Sequence, residues 1–292
     1  MGGTGPGPNH KTLNSVEVIS SNPILRSHFP IPNFPKQISE CSLFLQNGTL
    51  MLCGGKNGNG STNETCFQLK NGSWHEFKAF KNIGTFHSKE IVVTSKATFA
   101  FGIEKVKYLP IGSNDWKVCE TRISGYFVNG CAIEVKSKGE IWLIGGVGKT
   151  NKQILSFNLE TLTFKELPMK LNVGRACHKC IVTKIGNSEA ILVTGGINDQ
   201  ELRGCGYETS VEIIDIQTGK VTLSPPMNIK RVAHGIGTLN INNQPRIAVF
   251  GGYNGNHAEN TIEIFDPETL KWEIVEDFKM NESRDSFGCL TF

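Results

Sequence analysis

Two strings in this chain have residue types and spacings that could do chemistry. Gly145 to Thr150 reads GGVGKT, close to a phosphate-binding loop. Such a loop holds phosphate with backbone N–H groups at the start of a helix. Here NKQILSFNLE follows, an alternating run that reads as a strand. Leu143 stands where the eight-residue form of the motif needs its first glycine, and Ile144 where the deviant form needs a basic residue. The string is a loop between two strands. Cys177-His178-Lys179-Cys180 has the spacing of a metal or redox pair. On a strand, residues three apart point to opposite faces, so the two thiols cannot share a metal without a bend. No second Cys or His pair completes a zinc site, and a redox pair of this spacing normally opens a helix.

The remaining thiols and amides offer modification rather than catalysis. Nine cysteines leave at least one outside any intrachain disulfide. Cys53 ends one strand and Cys66 lies in the facing one, so a cross-strand disulfide fits the geometry, and two half-buried thiols fit it as well. Five Asn-x-Ser/Thr sequons begin at Asn47, Asn59, Asn63, Asn71 and Asn281.

The elements that carry these residues repeat. Gly54-Gly55, Gly145-Gly146, Gly195-Gly196 and Gly251-Gly252 each close a short apolar run, and TFAFG ends a degenerate copy at Gly102. The period is about fifty residues, that of a propeller blade. After each pair comes a polar loop, then an alternating strand: ILSFNLE, SVEIIDI, TIEIFDP. A turn follows, then a strand carrying a large ring (Trp74, Trp116, Phe164, Trp272), with Val221 in the fourth copy. Each unit reads as four antiparallel strands, A to D, with the glycines closing B. One unit cannot bury its apolar face alone, and units stacked radially can. The net charge of +3 is too small to argue for nucleic acid, and no apolar stretch reaches the length of a membrane span. Met1 to Asn22 lacks the apolar centre of a signal peptide.

A diglycine ending strand B and a Trp on strand D resemble the kelch repeat family. The resemblance spans the whole chain and implies an all-β fold, a six-bladed kelch-type propeller in one domain over residues 1–292. Its blades are expected at 41–79, 87–118, 131–168, 177–226 and 233–280. The sixth is composite: the C-terminal A strand at 285–292 joins N-terminal strands within residues 1–32. There Gly2-Gly3 is preceded by Met1 alone, where other blades have about four apolar residues, so the expectation is a chain that starts inside its domain.

In kelch propellers the D–A and B–C loops share one face around the central channel. The resemblance puts Arg175, Arg231 and Arg284 there from D–A links, with Lys36 and Arg122 less surely placed. It adds Lys56, Lys149, Asn198, Arg203, Tyr253, Asn254 and Asn256 from B–C loops. The chemistry suits a protein or peptide partner, an acidic one through bidentate arginine contacts. Oxidases on this scaffold use copper held by Tyr and His with a Tyr–Cys cross-link. This chain has four tyrosines, and Cys205 and Tyr207 lie too close in sequence for that arrangement. The expectation is a monomeric binding module, of the adaptor or scaffold kind, with no enzymatic activity, no cofactor, no metal and no nucleic-acid partner. The alternative is a secreted, glycosylated kelch protein that binds an extracellular protein or glycan. The compartment stays open, with the cytoplasm ahead.

Overall fold

The computed structural model describes residues 1–6, 11–19, 31–77, 90–102, 105–113, 115–122, 127–148, 151–198, 206–241, 244–276 and 278–291. It holds five four-stranded antiparallel sheets. The fifth is representative: Gly235–Ile241, Gln244–Phe250, Ile262–Asp266 and Lys271–Ile274, each paired with its neighbour in sequence. The fourth repeats it with Lys179–Ile185, Ser188–Thr194, Val211–Asp215 and Val221–Ser224. The others span 42–77, 90–122 and 131–166. The second sheet forms fully although its sequence repeat is degenerate, because Ala97–Phe101 is buried at all five positions.

Successive sheets pack face to face through apolar clusters, and strand B feeds both sides. In the fifth sheet Val249 and Ile247 join the cluster against the fourth sheet, while Ala248 and Phe250 face the other way. The rings on strand D fill these layers as expected. Trp272 packs with Phe265 at 5.1 Å between centroids, and Phe164 with Phe157 at 4.8 Å. At Val221 the missing ring leaves no looseness. Trp142, from strand B of the third sheet, is buried in that same cluster.

The diglycines are required by their surroundings. Gly251 has φ 56° and Gly252 φ 95°, conformations that side chains rarely adopt. A Cβ on Gly252 would lie 2.8 Å from the His234 Cβ and 3.0 Å from the Val232 carbonyl oxygen. The link into that sheet's own strand A crosses that close.

Two disulfides are present among the described residues. Cys53 and Cys66 pair across strands B and C of the first sheet, where their Cα atoms are partners in register. Cys131 and Cys180 join strand A of the third sheet to strand A of the fourth. Cys180 of the CHKC string is thus bonded to a cysteine 49 residues away, and Cys177 carries no disulfide.

The chain ends meet. Thr4 bridges Asp285, and Met1 exchanges backbone hydrogen bonds with Gly288. The composite blade is expected to take its C strand from Ser15 to Ile19 and its D strand from Leu25 to Ile31; residues 15–19 are not paired as a strand, and residues 20–30 lie outside the described residues. No described helix is long and apolar enough to cross a membrane.

Gly252→Ala is expected to destabilise the protein by about 3 kcal/mol or more, because strain and a backbone clash add. Gly186→Ala, where a Cβ meets nothing within 4 Å, is expected to cost about 1 kcal/mol from its left-handed backbone alone. Denaturant unfolding of the two variants would separate these; equal losses would refute the crossing argument.

Candidate binding face and its buried arginines

The D–A links and B–C loops do gather at one end of the sheets. Ala176 and Ile197 exchange backbone hydrogen bonds at 2.9 and 2.8 Å, and Val232 and Tyr253 do so at 3.0 and 2.9 Å. Lys56 and Ser39 pair in the same way in the first sheet.

The three arginines expected on that face are inside it. Arg175 and Arg231 are 0% exposed and Arg284 is 1% exposed. Arg231 Nε donates to Glu263 Oε1 at 3.1 Å, Nη1 to the Gly251 carbonyl at 2.6 Å, and Nη2 to Thr261 Oγ1 at 2.7 Å. Arg175 bonds Glu212, the Gly195 carbonyl and Ser210 in the same pattern. Arg284 repeats it with Glu17, the Gly2 carbonyl and Ser15. The carboxylates are fully engaged. Glu263 also accepts from the Asn228 and Ile229 amides, and Glu212 from those of Asn172 and Val173. These arginines are therefore withdrawn from the ligand-binding set: they are buried, and their Nη donors are spent on the protein's own carbonyls, hydroxyls and carboxylates, while Arg284 Nε is enclosed without a partner among the described residues.

Sequence reasoning missed the glutamates, although the signal was present. Asn-x-x-Arg begins at Asn172, Asn228 and Asn281, and Ser/Thr-Val/Ile-Glu ends at Glu212, Glu263 and Glu17. The two patterns co-occur in the same three units.

Each arginine also works through its backbone. The Arg231 carbonyl accepts from the Gly196 amide of the preceding sheet, while its guanidinium grips Gly251 of its own. Arg175 and Arg284 do the same for Gly146 and Gly252.

Two residues beyond each of these arginines, and at two equivalent places in the first and third sheets, the backbone turns left-handed beside the channel. Asn129, Cys177, Ala233, Ser286 and Glu40 all have φ between 52° and 58°. They form a chain of backbone bonds: Cys177 donates to Asn129, Ala233 to Cys177, Ser286 to Ala233, and Glu40 to Ser286, at 2.6 to 2.9 Å. Left-handed backbone costs roughly 1–2 kcal/mol per residue. None of the five is β-branched, for which that backbone is least tolerated. They line a channel pocket of about 170 Å³, which Lys179 crosses to reach Glu90 at 3.7 Å.

His178 and His234 lie beneath this belt, buried and neutral. Burial pulls both far below the ordinary imidazole value, and the Arg175 and Arg231 guanidiniums add to it. His234 shares a 2.8 Å hydrogen bond with Thr194. They pack against the glycines, as a Cβ on Gly145 would lie 2.8 Å from His178. No described group of three His, Cys, Asp or Glu residues could hold a metal ion.

What remains of the expected face is polar and aromatic. Tyr207 and Tyr253, on the B–C loops of the fourth and fifth sheets, meet edge to face at 5.8 Å. Asn254 is partly spent holding its own loop: Oδ1 accepts from the Asn256 and His257 amides, and Nδ2 donates to Glu259. Asn198 pairs with Gly206 at the base of its loop. Lys56 is half-exposed and 3.3 Å from Glu40, and Lys36 lies over the Phe67 ring. Arg203 and Lys149 lie outside the described residues, as does the Arg122 side chain. Among the sequons, Asn47, Asn59, Asn71 and Asn281 are exposed. Asn63 is 7% exposed, and its amide bonds the Gly54 and Thr65 carbonyls. Asn63 is thus corrected: a glycan cannot be attached to an amide enclosed by backbone.

Two predictions follow from the buried pairs. Arg231→Met alone should cost about 3–5 kcal/mol, because it strands a buried carboxylate. Adding Glu263→Met should recover part of that loss, whereas additive losses in denaturant unfolding would contradict the coupling. Stability should also fall as pH drops below about 6.5, where the unfolded chain takes up protons that His178 and His234 refuse. The slope should be shallower in the His178→Gln, His234→Gln protein. An unchanged slope would show that other groups govern it.

Residues 246–279 match the family model of the Kelch motif. No curated protein sequence matches the chain. Among solved structures, "Structure of YjhT" superposes with a TM-score of 0.63 at 14% identity, covering 84% of this chain and 86% of that one. YjhT is a kelch-type propeller. As many as 279 solved chains match this fold, and a fold so widely shared does not decide activity. The expectation of a protein without enzymatic activity is corrected on that ground: the likeness to YjhT gives no support for excluding catalysis. The chain carries a kelch motif on an all-β propeller fold, as its recurring glycine pairs imply.

Proposed function

We propose that this chain is one six-bladed propeller over residues 1–292 and binds a protein partner at the face formed by its B–C loops. The meeting of Met1, Thr4 and Ser15 with the C-terminal segment supports the composite sixth blade. Kelch propellers suggest protein binding in general. The observation that carries the site is the Tyr207–Tyr253 pair. It bridges two loops, and each ring sits on a residue paired in a short backbone ladder, Tyr207 with Ile197 and Tyr253 with Val232. Tyrosine offers large contact area at low entropic cost and dominates many interfaces. Asn198, Asn254 and Lys56 flank it.

The preference for an acidic partner loses most of its support. Its main cations are buried, and Lys56 and Lys179 already face Glu40 and Glu90. A mixed polar segment with an apolar anchor fits the face better. A second reading, a secreted and glycosylated protein, is favoured by the two disulfides, which persist in oxidising compartments.

Tyr207→Ala with Tyr253→Ala should weaken capture of a partner about tenfold or more and leave the melting temperature nearly unchanged. Lys138→Glu, on an A–B hairpin, should leave capture intact. Crosslinking from both surfaces would check this; equal loss in the two variants would move the site elsewhere.

A further inference from the structure

The loop that carries Tyr253 is tied together by one side chain. Asn254 Oδ1 accepts from the Asn256 amide at 2.7 Å and from the His257 amide at 3.0 Å. Its Nδ2 donates to Glu259 Oε1 at 2.6 Å and lies 3.2 Å from His257 Nε2. This orientation of the side-chain amide is over-determined. Reversed, its nitrogen would face two backbone donors and its oxygen would face a carboxylate. An amide nitrogen only donates, so His257 Nε2 must be the acceptor. The ring proton of neutral His257 therefore sits on Nδ1, which donates to the Ala258 carbonyl at 3.1 Å.

One end of this tie is rigid and the other is open to solvent. Glu259 is 7% exposed, and its amide donates to the Gly252 carbonyl at 2.7 Å. Glu259 Oε2 accepts from Thr261 Oγ1 at 3.1 Å, and that oxygen accepts from Arg231 at 2.7 Å. The His257 side chain is 63% exposed, so a proton reaches it without unfolding. Its charged neighbour on the loop is Glu259, with Arg231 beneath, already bonded to Glu263. The fourth sheet's loop brings Tyr207 onto Gly255, and Glu208 beside it accepts from Ser210 Oγ. Once protonated, both imidazole nitrogens are donors. Nε2–H then opposes the Asn254 amide nitrogen across 3.2 Å, and that amide cannot reverse. Nδ1, 3.7 Å from Glu259 Oε1, is drawn to the carboxylate that Asn254 holds. Both changes loosen the grip of Asn254. The same loop sets the aromatic pair. Tyr253 bridges Ala258, its hydroxyl donates to the Gly255 carbonyl at 3.1 Å, and a Cβ on Gly255 would lie 3.1 Å from the Tyr207 ring.

We propose that His257 is a proton-operated latch on this loop: neutral, it closes the tie between Asn254 and Glu259, and protonated, it opens it. The consequence for partner capture at Tyr207 and Tyr253 rests on the loop-face reading; the latch itself is tested without a partner. The isotope-labelled full chain is followed by NMR and amide hydrogen exchange between about pH 8 and about pH 5.5, the range in which imidazoles change charge. At the upper end the ring proton of His257 should be on Nδ1. On acidification, protection of the Asn256 and His257 amides should fall roughly fivefold or more, after correction for intrinsic exchange. His257→Gln should remove this response. Asn254→Asp should reverse it, because a carboxylate there repels Glu259 beside a neutral ring and pairs with a charged one. Should either variant fail to fold, the ring proton and the exchange of the unaltered protein still decide. A neutral ring protonated on Nε2, or protection that does not change with pH, would overturn the proposal. So would the same response in His257→Gln, or a response of unchanged sign in Asn254→Asp. A latch that opens while partner capture stays constant would count against the loop face and not against the latch.

Discussion

A buried arginine held by a glutamate organises two of the sheets and the meeting of the chain ends. The pair sits where three constraints converge: the incoming D–A link, the carbonyl of the first glycine, and the start of strand C. Arg231 touches all three through Gly251, Thr261 and Glu263. Burying two charges costs several kcal/mol per ion unless every donor and acceptor is used. Here nearly all are, with backbone amides of residues 228 and 229 completing the carboxylate. The result is geometric definition more than net stability. A link so anchored cannot slide, and its carbonyl then holds the second glycine of the preceding blade.

That anchoring makes the strained channel belt tolerable. Five left-handed residues in successive units would be costly alone. Three of them, Cys177, Ala233 and Ser286, follow an anchored link, and each of the five donates to, or accepts from, a neighbour's backbone. The loops above inherit a fixed base. The face they offer differs from a basic funnel: its arginines are structural, its central lysine is matched by Glu90, and half-buried tyrosines and amides lie beside it.

The meeting of the chain ends repeats part of this scheme. Arg284 finds Glu17, Ser15 and Gly2 much as its counterparts find their own partners. The belt also continues through Ser286 to Glu40. The anchor there draws on both ends of the chain, so the same side-chain pattern holds a link in place whichever part of the chain supplies its partners.

The sequence by itself determined the elements. Glycine pairs, period-two runs and D-strand rings are local signals, and each marks a backbone conformation or a face regardless of what packs on it. The Cys53 and Cys66 register also followed, because both flank one short loop. Tertiary structure decided what each polar side chain does. An arginine at a strand start reads the same in sequence whether it is solvated or enclosed, and Glu263 lies 32 residues beyond Arg231. Asn63 reads as a sequon, but only folding encloses its amide between the Gly54 and Thr65 carbonyls. Cys131 and Cys180 belong to different sheets, 49 residues apart, so their bond follows from how blades stack. Local conformation is set by neighbours in the chain. Burial and pairing are set by neighbours in space, and in a ring of similar units those come from the next blade.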